Sequence, residues 1–343
     1  MQRLLAAVFM VSAMLGTPGM LGKPAWAQTV FKLRASLDTS PTHARTIAVA
    51  DYLKALQDRS GGRIQTELFS SGQLFRDRDV AKALRQGAAE MAVPGSWVLT
   101  GFVPDADVFQ LPSFFGQPAE VVYAAVDGTI GQTISGELES KLGVTLLGPW
   151  LPLGYQNTYS TGKPIRSFAD MAGMKIRNSG GAGQAIRAKF FNAQPNMTAW
   201  PDVPLALSQG TFDGLSSTDE SLASAKLWDS GVKFGFEDHE FIGFYIPMLS
   251  DSFYKKLPPD LQHLVVDVWR ESIPRYRSGM EAAQTQARKT LEANGIVFVS
   301  PPENELAAIR QRMMPLQDAV AKELRITPSL LQQVAGDKAL NGS

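Results

Sequence analysis

Along residues 30–37 apolar and polar positions mix as they do in a half-buried strand, and a Ser-Pro-Thr-His turn closes the run. Directly afterwards Val49, Tyr52, Leu53 and Leu56 recur at spacings of three and four, which sets all four on one face of a helix. Gly61 and Gly62 stop that helix. The alternation then returns, with a strand over 63–69, a helix over 77–86 and a short strand over 91–93 that ends at Pro94-Gly95. Strand-helix-strand-helix-strand predicts an open, largely parallel sheet.

The middle of the chain repeats the theme. Residues 144–148, 174–177 and 212–215 read as strands, and 183–191 and 203–209 as helices. A long helical stretch begins after Pro258-Pro259 and runs to Asn294-Gly295, a C-terminal stop. Pro274 lies inside it, so a kink or break is expected there. A last strand covers 296–299, and amphipathic helix follows. No repeat, low-complexity block or separating linker divides the chain, so two α/β lobes between which the backbone crosses more than once are expected.

The first residues change the picture by giving an address. Arg3, an apolar run over 4–15 and Ala25-Trp26-Ala27 follow the order of a cleaved secretory signal, and the run is too short and too interrupted by Gly16, Pro18 and Gly19 to span a bilayer. Cleavage there removes Arg3 and Lys23, which leaves acids in excess of bases by two. A near-neutral chain has no footprint for nucleic acid or an anionic membrane surface, and no later stretch suits direct membrane insertion. The absence of cysteine removes disulfides, zinc-thiolate sites and thiol catalysis together.

A search for catalytic chemistry is mostly negative. The three histidines, His43, His239 and His263, form no close ligand pair. Ser96, in Pro-Gly-Ser-Trp-Val, lacks the second glycine of a nucleophile elbow. Gly180-Gly181-Ala182-Gly183 lacks the spacing and ending of a phosphate loop; it reads as a strand-to-helix turn whose amides could still face an anion. The adjacent acids Asp219 and Glu220 fit a helix start, with ligand contact as the alternative. No cofactor and no metal is implied.

Several short segments, in order, carry a resemblance. Ser60-Gly-Gly-Arg-Ile64, Ser71-Gly-Gln-Leu74, Gly173-Met-Lys-Ile-Arg177, Pro195, Trp200, Ala206-Leu-Ser-Gln-Gly210, Asp213-Gly214 and Leu257-Pro-Pro-Asp-Leu-Gln262 make the chain similar to the substrate-binding subunits of tripartite ATP-independent periplasmic (TRAP) transporters. The resemblance covers essentially the whole chain after the leader. It implies a periplasmic, non-enzymatic solute-binding protein of the α/β, periplasmic binding protein type II-like fold. Two lobes are joined by a hinge and spanned by a long helix, and the expected partners are a small carboxylate and the TRAP membrane subunits. The implied division is a signal over 1–27, one lobe from 28–152 plus about 243–283, and the other from 153–242 plus about 284–343. A sensing partner in place of a transporter, or a secreted enzyme acting on small acids, are the alternatives.

The resemblance further implies that Arg177 grips a ligand carboxylate, a role that suits a planar guanidinium offering two parallel donors. Trp200 stands where an aromatic ring commonly covers the ligand. The chain departs from sialic-acid binders in two places: Gln156 stands near their second arginine, and Leu215-Ser-Ser217 replaces their asparagine after Asp-Gly. One fixed guanidinium with neutral donors around it favours a monocarboxylate with hydroxyl, keto or apolar decoration. The remaining candidates come from strand ends and from the first crossing between lobes, where ligands sit in open α/β sheets. They are Ser40, His43, Ser96, Trp97, Trp150, Tyr155, Asn157, Ser217 and Asp219.

Overall fold

A computed structural model describes residues 29–341, so the secretory signal expected over 1–27 lies outside the described residues. The strands are β1 (Phe31–Ser36), β2 (Ile64–Phe69), β3 (Met91–Ala92), β4 (Val144–Leu146), β5 (Leu151–Ser160) and β6 (Lys175–Asn178). They continue with β7 (Gln194–Met197), β8 (Gly214–Ser217), β9 (Phe234–Tyr245), β10 (Met248–Ser250) and β11 (Val297–Val299). Two sheets result, ordered β2-β1-β3-β10-β4 and β11-β9-β5-β8-β6-β7.

The first sheet follows the expected parallel pattern through β1, β2 and β3, with Phe31 opposite Ile64 and Ala35 opposite Met91. β10 then joins antiparallel to both β3 and β4. The helix Ala44–Arg59 packs on this sheet by the face its spacing predicts: Val49, Tyr52, Leu53 and Leu56 are all buried. Each such side chain contributes about 1.5–3 kcal/mol on burial.

The second sheet is mixed for a reason that the hydrophobic pattern concealed. β5 and β9 are long strands paired antiparallel, with irregularities in the register at Pro152/Gly154 and Gln156/Thr158. Gly and Asn in β5, and Glu237, Asp238 and Glu240 in β9, mask both in the sequence. Asp238 and Glu240 are nonetheless buried, held by Thr158 and Ser216.

The backbone leaves the first sheet between β4 and β5 and returns between β9 and β10. A third crossing is the helix Pro259–Ala293, whose 35 residues span about 50 Å and pack on both Ala44–Arg59 and the helix Asp219–Ser224. No break occurs at Pro274, which is exposed. Pro274 lies on the outer face, while Ile273, Tyr276 and Met280 stay packed on the inner side. Among the described residues no helix is long and apolar enough to cross a membrane.

The chain end departs from the expected division, which gave about 284–343 to the second lobe. Val320, Leu324, Leu330, Val334 and Leu340 pack into the first-lobe core beside Val80, Ile134 and Leu138, and Gln117 Nε2 donates to Leu340 O at 3.1 Å. Ile309 and Met313, just before, pack with Phe168 and Ile176 of the second lobe.

Candidate ligand cleft

Between the sheets lies a cleft of about 290 Å³. The end of β1 and the start of the helix Asp77–Arg85 supply Asp38, Thr39 and Asp77; the second lobe supplies Gln156, Arg177, Trp200 and Ser217. Trp97 and Tyr245 close the inner end, their rings 5.8 Å apart.

Arg177 occupies the third position of β6 and is 1 % exposed. Its Nε donates to Thr198 O at 2.9 Å and its Nη1 to Ser179 Oγ at 3.1 Å, while Cζ sits 5.4 Å from the centre of the Trp200 ring. No carboxylate of the described residues forms an ion pair with it, and Nη2 has no protein partner. Burial pushes this guanidinium down to about 10, against the weaker pull of Asp38 and Tyr245. It stays charged at neutral pH, and a buried cation without a counter-charge is costly.

Across the cleft the arrangement is the reverse. Arg45 is wholly buried, donating Nη1 to Asp77 Oδ2 at 2.8 Å and Nη2 to Asp38 Oδ1, with a third bond to Val93 O at 3.0 Å. The Tyr245 ring lies 4.1 Å from its Cζ. Burial pushes Asp77 up to about 7 despite Arg45, and Asp38 adds to the rise.

Of the residues singled out from the sequence, the cleft brings together Arg177, Trp200, Gln156, Ser217 and Trp97. Gln156 is 3 % exposed and its Nε2 is buried without a partner. Tyr155 and Asn157 flank it on β5, and neighbours on a strand face opposite sides. They line a separate cavity of about 270 Å³ behind the sheet, together with Asp219. There Tyr155 stacks on His239 with ring centres 4.5 Å apart, and Asn157 Oδ1 accepts from His239 N at 3.2 Å. Asp219 opens its helix and accepts from the Tyr159 hydroxyl.

Four candidates sit elsewhere. Trp150 is in the first-lobe core against Phe109 and Phe244, its Nε1 donating to Ser135 Oγ at 3.2 Å. Ser96 starts a short 3-10 turn and is buried outside the cleft lining. His43 caps the helix Ala44–Arg59 by accepting from Arg45 N at 3.0 Å. Its Nε2 lies 2.8 Å from Glu220 Oε2 and so ties the two lobes together. Ser40, at the rim, bonds Thr42 at 3.1 Å.

The glycine-rich turn before the helix Ala182–Phe190 does face an anion, and that anion belongs to the protein. Asp107 Oδ2 accepts from the amides of Ala182 and Gly183 at 3.1 and 3.2 Å. Burial pushes the Asp107 carboxyl up to about 6, against those two amides and Arg187. Gly181 holds φ +76°, and a Cβ on Gly183 would lie 2.3 Å from Gln110 Cβ, so the close approach requires glycine. Arg76 and Asp202 pair at the cleft mouth, which makes a further link between lobes.

Sequence reasoning did not find Arg45, Asp38 or Asp77. Asp38 follows the end of β1 by two residues, where the strand-end rule applies, and so carried a signal. Asp77 reads as a helix-start acid and Arg45 as a helix-surface base, so neither announces the pairing that burial creates.

Residues 36–323 match the family described as bacterial extracellular solute-binding protein, family 7. A C4-dicarboxylate-binding periplasmic protein of Rhodobacter capsulatus is 24 % identical over 312 residues, 89 % of this chain and 90 % of that protein. A TRAP periplasmic solute binding protein from Sulfurospirillum deleyianum DSM 6946, solved with bound succinate, superposes with a TM-score of 0.80 at 24 % identity, covering 90 % of this chain and 99 % of the other. The sugar acid binding protein of Advenella mimigardefordensis strain DPN7T, in complex with galactonate, gives 0.84 at 19 % identity, covering 92 % and 99 %. These structural likenesses establish the fold.

Proposed function

The chain belongs to bacterial extracellular solute-binding protein family 7, and from that membership we propose that it captures a small organic carboxylate in the periplasm and presents it to TRAP membrane subunits for uptake driven by an ion gradient. The observation that carries this reading is the buried guanidinium of Arg177, with which no carboxylate of the described residues forms an ion pair. A site that keeps a dehydrated cation without a counter-charge is prepared for an anion from outside. Relatives and fold neighbours with C4-dicarboxylate, succinate and galactonate in their names support a ligand among small carboxylic acids.

Capture follows from the geometry. A carboxylate entering the cleft takes the free Nη2 edge of Arg177, whose other donors Thr198 and Ser179 already fix. Trp200 covers the pair and excludes water. The second lobe closes over it, and lobe-to-lobe contacts such as Arg76–Asp202 and His43–Glu220 hold the closed arrangement. The liganded, closed conformer is the one the membrane subunits select, so the ligand acts by preferring one population.

The test is a thermal-shift screen of acids against the wild type and Arg177→Met. Ligand-dependent stabilisation is expected in the wild type and absent in the variant. A shift of wild-type size in Arg177→Met removes Arg177 from the mechanism and with it this reading.

A further inference from the structure

The wall opposite Arg177 is acidic. Asp38 and Asp77 line it, and the guanidinium of Arg45 beneath them holds both while also donating to Thr39 Oγ1 and Val93 O. Above about pH 7, where both acids are ionised, this trio leaves one net negative charge facing the cation of the second lobe. Asp77 keeps Oδ1 buried without a partner, and Gln156 keeps Nε2 buried without one. Both residues line the cleft, so its walls carry an unpaired acceptor and an unpaired donor just beneath the surface, besides the carboxylate anchor.

Resting on the reading that Arg177 takes the carboxylate, we infer that the cleft selects a polyhydroxylated monocarboxylate, whose hydroxyls meet Gln156 and the Asp38–Asp77 wall, over a dicarboxylate or a plain alkanoate. A hydroxyl both donates and accepts, so one ligand type serves Gln156 Nε2 and the carboxylate wall together. A second carboxylate only accepts and meets a wall of its own sign. An ammonium only donates, which leaves Gln156 unserved. An alkyl chain leaves both buried polar groups unpaired, and sites built for hydroxyls discriminate strongly against analogues that lack them.

The experiment compares three sets of acids matched in length by calorimetry: aldonates (threonate, ribonate, gluconate), aldarates (tartrate, glucarate) and alkanoates (butanoate, hexanoate). The best aldonate is expected to bind at least about tenfold tighter than the best member of either other set. Asp38→Asn, verified as folded by circular dichroism, should narrow the aldonate–aldarate gap at least about threefold. An aldarate or alkanoate that equals the best aldonate overturns the inference, and so does a matched amino acid that exceeds it. Silence from the aldonates while another carboxylate binds through Arg177 also overturns it but leaves the parent reading standing. Binding that survives Arg177→Met overturns the parent reading itself. The wild-type ranking decides the matter even where Asp38→Asn fails to fold.

Discussion

Arg45 and Arg177 stand on opposite walls of one cleft, both shielded from solvent, and the protein treats them in opposite ways. Arg45 meets two carboxylates, a carbonyl and an aromatic face. Arg177 meets a carbonyl, a hydroxyl and an aromatic face, and no carboxylate. Burial alone would make them look alike. The difference lies in whether the charge is already answered inside the chain: where it is, the arginine organises the wall, and where it is not, the arginine is left for something that arrives.

The largest test of this contrast is Arg45→Met. It strands Asp38 and Asp77 in a buried site, and a loss of about 3–5 kcal/mol in stability is expected, read by urea denaturation; a loss under about 1 kcal/mol would erase the distinction. The matching change on the other wall, Arg177→Met, should leave the ligand-free protein as stable as the wild type or more so, because it removes a desolvated charge with no partner. Its cost appears in binding, about 2–5 kcal/mol by calorimetry.

A pH series sharpens the comparison further. Asp77 in the folded protein sits at about 7, above the ordinary carboxyl value of 3.8. Its contribution to stability is therefore fully present below about pH 3.8 and is lost as pH rises through about 7. The Asp77→Asn variant should lose less stability than the wild type between pH 4.5 and 7.5, by on the order of 1 kcal/mol or more. Equal slopes in the two proteins would show that Asp77 does not titrate in that window. The smallest effect is expected at Trp200→Leu, which keeps apolar cover but removes the ring face beside Arg177. We expect affinity to fall by about 0.5–2 kcal/mol with the ligand ranking unchanged.

The same contrast explains what could be read from the sequence. The β1-to-β3 unit and the face of the helix Ala44–Arg59 were legible because each shows one clean period. β5 and β9 were not, because buried polar residues such as Asp238 and Glu240 break the period, and only their tertiary partners make that burial tolerable. Arg177 stood out through the Lys-Ile-Arg segment and its family resemblance. Arg45 stood out through nothing local, since its partners lie 7 residues before it and 32 after it. Tyr155 and Asn157 look equivalent to Gln156 in a string of letters, and strand geometry sends them behind the sheet. At Pro274 the helix continues without the break that was one of the two expected outcomes.

The return of the chain end to the first lobe has a consequence for order in time. Strands β1 to β3 come from the first hundred or so residues, yet Leu330, Val334 and Leu340 complete the core of their lobe. Until those residues arrive, apolar surface around Ile134 and Leu138 stays uncovered, and the lobe cannot reach its final packing. A polypeptide made in this sequence leaves that core unfinished until residues 320–340 have been delivered.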